Sequence, residues 1–218
     1  MSSTALANSI AVSGLILAGG EGRRMSGRDK GLMTLGNRPL VEYAIDCLTP
    51  LVDDLAISCN RNRALYADYH LPCLVDNEAD PGRHFAGPMA GLATGLKYAK
   101  HDWLLVMPCD TPLMTTRIMA QLITEIAADT AELASPVQAV IFSYQGLQPL
   151  HGLYHKSMLP IFEQCLAENK NALQRLLRSL DSIKVLAAQA TEFNFNNAND
   201  AEELSRMEKL LAQQRTQN

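Results

Sequence analysis

No stretch of the 218-residue chain holds the roughly 18 consecutive apolar residues that a membrane-spanning helix needs, so no membrane span is expected. Charge is equally short. The 19 basic and 23 acidic residues leave a net charge of −4, and the cations gather into no long stripe of the kind that binds nucleic acid. Cysteine is sparse and odd in number: Cys47, Cys59, Cys73, Cys109 and Cys165 form no C-x-x-C pair, which argues against a metal site and leaves small, buried, reduced residues as their reading. The five histidines include no H-E-x-x-H, so each reads as an ordinary surface or core residue.

Two familiar glycine loops are missing as well. Gly20 and Gly22 begin a G-x-G-x-x-G fingerprint whose third position is Met25, which disfavours a dinucleotide-binding dehydrogenase. Gly22 and Gly27 have the spacing of G-x-x-x-x-G-K-[ST], but Arg28 and Asp29 follow, which disfavours a P-loop kinase or GTPase. Ile10–Ala18 has the apolarity of a signal-peptide core, yet no positive flank precedes it and it runs directly into Gly-Gly and arginines. It therefore reads as a first strand, and the protein is expected to be cytoplasmic.

What the chain does have is hydrophobic residues at 47%, enough for a full core in one α/β domain spanning 12–218 behind a flexible tail at 1–11. Val12–Leu17 reads as a strand buried on both faces of a parallel sheet. Leu32–Leu35 with Gly36-Asn37 reads as an extended piece and turn, and Pro39 as the first residue of a helix reaching about Cys47. Further strands are expected at Leu55–Ser58, Leu74-Val75, Trp103–Met107, within 133–154 around a Tyr144–Gly146 turn, and at Lys184–Ala187. Helices are expected at Ala64–Tyr69, Ile118–Ile126, Met158–Leu166, Leu173–Leu180 and Ala201–Ala212. The alternation predicts a three-layer α/β/α, Rossmann-like architecture around a mostly parallel sheet.

The first strand ends at Gly19-Gly20, and Arg23, Arg24, Arg28 and Lys30 follow with little acid between them. Glycines let backbone N–H groups approach an anion closely, and the cations balance several phosphate charges at once. An ordinary strand-to-helix turn with a solvated basic face is the competing account of the same residues. Three other strands end in polar residues, at Asn60, Asp76 and Asp110. Each alone is a common turn former or cap, but ligands of open parallel sheets bind at strand carboxyl ends, where all four would meet. A carboxylate directly after a buried strand, such as Asp110, can hold Mg²⁺ against phosphate oxygens. Gly87, Gly91 and Gly95 recur every fourth residue, which lets a helix lie close either to the sheet or to a ligand.

L-A-G-G-x-x-x-R-M-x-G-x-D-K-G-L from Leu17 to Leu32 resembles the signature loop of the MobA-type molybdenum cofactor guanylyltransferases, nucleotidyltransferases of the nucleotide-diphospho-sugar transferase type. CTP-using relatives and many sugar-nucleotide pyrophosphorylases read L-A-A-G there, so Gly19 favours the guanylyl branch. Pro108-Cys109-Asp110-Thr111-Pro112 is similar to the family's P-C-D-x-P, and Gly87-Pro88-Met89-Ala90-Gly91 to its G-P-L-A-G. Asn194-Phe195-Asn196-Asn197-Ala198-Asn199-Asp200 resembles N-[hydrophobic]-N-T-P-E-D, with Asn197, Ala198 and Asn199 replacing Thr, Pro and Glu, and with an Asn-rich capping turn as the alternative reading. Asp80–Phe85 looks a few residues longer than usual.

The resemblance implies transfer of GMP from GTP to the terminal phosphate of molybdopterin or its molybdenum-loaded form, with Mg²⁺ as cofactor. By the same matching, the backbone of Leu17, Ala18 and Gly19 would meet the base, Gly20 and Gly22 would complete the cradle, and Lys30 and Arg24 would hold the phosphates. Asn60 and Asp76 would face the base or ribose, Asp110 the metal, and Gly91, Asn194 and Asn196 the remaining substrate. Further partners would be other proteins that handle the molybdenum cofactor. The alternatives are a related cytidylyl- or sugar-phosphate nucleotidyltransferase and a non-catalytic nucleotide-binding cofactor chaperone.

Overall fold

The structure, a computed structural model, describes residues 10–18, 29–76, 87–129, 136–191 and 193–216. In chain order its regular elements are β1 (Val12–Leu17), β2 (Thr34–Leu35), β3 (Arg38–Pro39), α1 (Leu40–Leu48), β4 (Asp54–Ser58), α2 (Arg63–Tyr66), β5 (Cys73–Leu74), α3 (Pro88–Tyr98), β6 (Trp103–Pro108), α4 (Thr116–Asp129), β7 (Ala139–Ser143), β8 (Leu147–His155), α5 (Leu159–Ala167), α6 (Leu173–Arg178), β9 (Ile183–Ala187) and α7 (Ala201–Thr216).

Seven strands form one sheet in the order β5-β4-β1-β6-β8-β7-β9, and β2 pairs only with β3. β8 runs antiparallel to both β6 and β7, while β7 and β9 are parallel. Every strand of the sheet except β8 therefore points the same way. The exception follows from the short turn after β7, where Gln145 and Gly146 take positive φ and double the chain back, so that β8 cannot be a crossover strand.

Successive residues of the central strands face opposite layers, as a pleated strand requires. Ile16, Leu105 and Met107 join the core under α1 and α4, with Val41, Ala44, Leu48, Met119 and Leu122. Leu15, Leu104 and Val106 point the other way, into the core under α3, α5 and α6, with Met89, Leu92, Phe162 and Leu177. Both faces of β1 and β6 are thus covered, which is why these strands read as unbroken apolar runs. A third cluster seats α7: Met207 and Ala198 pack with Leu35, Leu40 and Leu113.

The glycines of α3 serve that layering. A Cβ added to Gly95 would lie 2.5 Å from Leu15 Cδ2, and one on Gly91 would lie 2.8 Å from Leu17 Cδ2. Gly87 falls outside the helix, as its N-cap with φ +78°, so it makes the turn and takes no part in the packing stripe.

Local boundaries shift by a residue or two at several elements, and two of the shifts bear on the site. Lys30–Leu32 is a single 3₁₀ turn, because the Asp29 side chain accepts from Gly31 N and caps it; extended structure begins at Thr34. Pro39 closes the β2–β3 pairing opposite Thr34 and caps α1 from outside. The tail assigned to 1–11 lies mostly outside the described residues, though Ile10 packs against the core.

Candidate active site

After β1 the chain leaves for β4 and β5 on one side, then returns to place β6 on the other, so the strand order reverses between β1 and β6. That switch point is where open α/β sheets bind ligands. The strand carboxyl ends are in register there: Leu17 pairs with both Ser58 and Pro108, Ala18 N donates to Ser58 O, and Cys109 N donates to Leu17 O. The carboxyl ends of β1, β4, β5 and β6 thus lie along one rim, with Asn60, Asp76 and Asp110 just beyond the last three; the polar loop after β1 lies outside the described residues until Asp29.

Two polar groupings stand on it. On the β6 side, the Lys30 ammonium donates to Asp110 Oδ2 at 2.9 Å and to Asn199 Oδ1 at 2.6 Å. Lys30 and Asp110 are about a fifth exposed, at 22% and 18%, so they can meet a ligand while being partly withdrawn from water. On the β4–β5 side, Asn60 and Asp76 bond reciprocally: Asn60 Nδ2 donates to Asp76 Oδ2, and Asp76 N donates to Asn60 Oδ1, both at 2.9 Å. Ser58 Oγ donates to the other carboxylate oxygen at 3.1 Å. Burial pushes the Asp76 carboxyl above its usual range, against the opposing pull of the Asn60 and Ser58 hydrogen bonds. Gly91 lets α3 lie against the Asp76 grouping, since a Cβ there would meet Leu17, Ser58 Oγ at 3.4 Å and Asp76 Oδ1 at 3.7 Å.

The Lys30 turn is held from below by a residue the sequence reading left out. Asp29 Oδ1 accepts from the buried Tyr66 hydroxyl at 2.6 Å and from Gly31 N at 3.2 Å, and Asp29 Oδ2 accepts from Asn62 Nδ2 at 3.1 Å. Asn62 sits in the left-handed region at φ 53°, which asparagine tolerates. Tyr66 and Asp29 are 37 positions apart, and no spacing rule connects them.

Asn199, which the sequence offers as the replacement for the motif's glutamate or as a helix cap and not as a site residue, joins the site through Lys30. Asp200 is the cap, accepting from Glu203 N at 2.9 Å, and Glu203 in turn accepts from Asn199 N at 2.7 Å. The loop is pinned to the Asp110 segment by Ala198 N donating to Asp110 O at 2.7 Å. Asn194 belongs to the same fastening. Its Oδ1 accepts from Thr191 N and Oγ1, and its Nδ2 donates to Leu113 O at 2.6 Å, so the buried side chain locks the loop from within, as the turn alternative supposes. Asn196 is exposed, two residues further along.

Beneath this loop, Phe195 stacks on Tyr144 and meets His151 edge-on. His151 is buried beside Thr111, with Nε2 3.0 Å from Thr111 Oγ1, and burial lowers its pKa to about 3. The thiols of Cys47 and Cys59 are pushed up to about 12 by burial, and burial raises Cys109 as well. None is a thiolate at neutral pH, in keeping with their reading as packing residues. Gly19, Gly20, Gly22, Arg24 and Asp80–Phe85 lie outside the described residues.

Among the described residues no three His, Cys, Asp or Glu side chains cluster as a metal-binding group. Mg²⁺ does not demand one, since it is commonly held by one or two carboxylates with water and substrate phosphates. Asp110 suits that donor set: the one side-chain bond it makes among the described residues is at Oδ2.

A switch-point rim that sets a lysine and a carboxylate on one side and a carboxylate–amide pair on the other suits a ligand with an anionic end and a hydrogen-bonding end. The fold is matched by a molybdopterin-guanine dinucleotide biosynthesis protein A from Archaeoglobus fulgidus, with a TM-score of 0.75 at 19% identity over 92% of this chain and 99% of that one. It is also matched by a 4-diphosphocytidyl-2C-methyl-D-erythritol synthase from Anaerococcus prevotii, with a TM-score of 0.70 at 13% identity over 94% and 97%. At those identities the likeness is one of fold alone. The MobA-like NTP transferase domain matches residues 14–184, and the chain belongs to that family. A Pseudomonas putida molybdenum cofactor guanylyltransferase is 36% identical over 190 residues, which are 87% of this chain and 94% of that protein.

Proposed function

We propose that the protein transfers GMP from GTP to the terminal phosphate of molybdopterin, releasing pyrophosphate; the P. putida relative is named a molybdenum cofactor guanylyltransferase, which supports the reading. The observation that carries the reading is the division of the rim: Lys30 with Asp110 at one end, Asn60 with Asp76 at the other. A nucleoside triphosphate has the same division, with anionic phosphates at one end and a hydrogen-bonding base and ribose at the other. Guanine presents adjacent N–H donors, which suit a carboxylate already oriented by Asn60 and Ser58. The backbone at Leu17 and Ala18 lies between the two ends, where a base would approach the sheet.

In the reaction, an oxygen of the acceptor's terminal phosphate forms a bond to the α-phosphorus of GTP in line. The bond from that phosphorus to the bridging oxygen of the β-phosphate breaks, and pyrophosphate leaves with the electron pair. The nucleophile is already an anion, so the site needs no general base. Lys30 balances phosphate charge and, with Arg24 and the Gly19–Gly22 backbone, orients the chain; positioning and charge neutralisation then account for most of the rate. Asp110 would hold Mg²⁺, which when bound supplies further neutralisation of phosphate charge. Gly91 keeps the wall beside Asp76 free of side chain, and Asn196, exposed on the loop carrying Asn194, would meet the acceptor. The setting is the cytoplasm.

Calorimetric titration with GTP, CTP and ATP, each with Mg²⁺, tests the nucleotide half of this reading. Tight binding of GTP alone is expected. A preference for CTP would move the protein to the cytidylyl branch.

A further inference from the structure

Asn199 does more than complete a turn. Its Oδ1 is 2.6 Å from Lys30 Nζ, shorter than the 2.9 Å from that ammonium to Asp110 Oδ2, and the two oxygens hold the ammonium from two different elements. The position of Asn199 is fixed independently of Lys30: Ala198 N is tied to Asp110 O, Asn199 N to Glu203, and Asn194 to Leu113 O. The amide oxygen is therefore preorganised toward Nζ. It is also neutral, and that property matters.

A cation that takes up the Asp110 carboxylate repels the Lys30 ammonium bonded to its Oδ2 and draws away the negative charge that holds it. With Asp110 as its only partner, Lys30 would swing to solvent as the metal arrived and would have to be recaptured by the nucleotide. A neutral acceptor on the far side keeps its hold, because it draws no second metal and satisfies one N–H while the others turn to phosphate oxygens. We propose that Asn199 is a positioning residue that retains the Lys30 ammonium at the rim when a metal ion occupies Asp110. This inference rests on the guanylyl-transfer reading for the identity of the nucleotide, but not for the contact itself.

The test replaces the acceptor while keeping shape, with Asn199→Leu, and measures GTP affinity by calorimetry with Mg²⁺ and with chelator. A charge-assisted hydrogen bond of this type implies a loss of roughly ten- to a hundredfold with Mg²⁺ and less than about threefold without it, where Asp110 still holds Lys30. In a Lys30→Ala background the same substitution should have no effect, since the residue acts through Lys30. Equal losses with and without metal, a loss that persists without Lys30, or no loss at all would overturn the proposal.

A nucleotide-free readout separates its failure from failure of the functional reading. The side-chain ammonium resonance of Lys30 should survive in Asp110→Asn, which removes the competing charge, and vanish in Asp110→Asn/Asn199→Leu. Its disappearance in Asp110→Asn alone would show that Asn199 holds nothing by itself, whatever nucleotide the protein binds.

Discussion

Lys30 and Asp110, 80 positions apart in the chain, meet at 2.9 Å on the rim where β1 and β6 end. The pair is partly exposed, so its direct contribution to stability is no more than about 1 kcal/mol. Its value lies in placing a cation and a metal-competent carboxylate side by side. Asp110→Ala is accordingly expected to lower turnover by about 10²- to 10³-fold, as removal of one charge-stabilising group does elsewhere, while the thermal midpoint moves by only a few degrees. Turnover at the wild-type level would remove Asp110 from the mechanism.

Tyr66 is expected to matter to the same site from a distance. Tyr66→Phe takes a buried hydroxyl from Asp29 and leaves the Lys30 turn held by Asn62 and Gly31 N. A stability loss of about 1–2 kcal/mol should accompany weaker GTP binding. Chemical denaturation and calorimetry on the same variant measure both. If stability falls while GTP affinity is unchanged, Asp29 does not set the position of Lys30.

Asp76 carries a pH signature. Burial raises its folded-state pKa above the unfolded value, so the folded state binds the proton more tightly. The corresponding stability is present below the ordinary carboxylate pKa and is lost as pH rises through the folded value. Asp76→Asn should remove that component of the stability–pH curve and abolish discrimination between GTP and other nucleotides. Denaturation midpoints across the mildly acidic range, set beside nucleotide titrations, check the two effects together.

His151 has the opposite sign. Its folded pKa is lowered to about 3, so the unfolded chain takes up a proton that the folded state refuses. The stability is present above the unfolded pKa of about 6.5 and is lost as pH falls from there toward 3, by about 1.4 kcal/mol per pH unit. His151→Gln, which keeps a polar partner for Thr111, should flatten that acid limb. A limb of unchanged slope would mean that other groups govern acid unfolding.

The sequence carried the sheet well because β1, β4 and β6 are buried on both faces and so read as apolar runs ending in one polar residue. Asn60 and Asp110 were legible for that reason, Asp76 only as a carboxylate after the short edge strand β5, and the meeting of strand ends followed from parallel topology. β8 was recognised as a strand near a turn, but its reversed direction depends on the Gln145-Gly146 geometry. The supporting layer was much less visible. Tyr66 looked like an ordinary helix residue, and only folding brings it to Asp29. Asn199 stood in an Asn-rich stretch where capping explained it equally well, and nothing local showed that Asn194, which the resemblance assigned to substrate, also bonds to Leu113 O. Local patterns report burial and turns, whereas contacts across 80 or 169 positions leave no local trace.

The most direct test of guanylyl transfer is mass analysis of molybdopterin incubated with the purified protein, GTP and Mg²⁺. The account predicts a product heavier by one GMP, formed together with pyrophosphate and absent with CTP. Unmodified molybdopterin with GTP, or addition of CMP in its place, would contradict it.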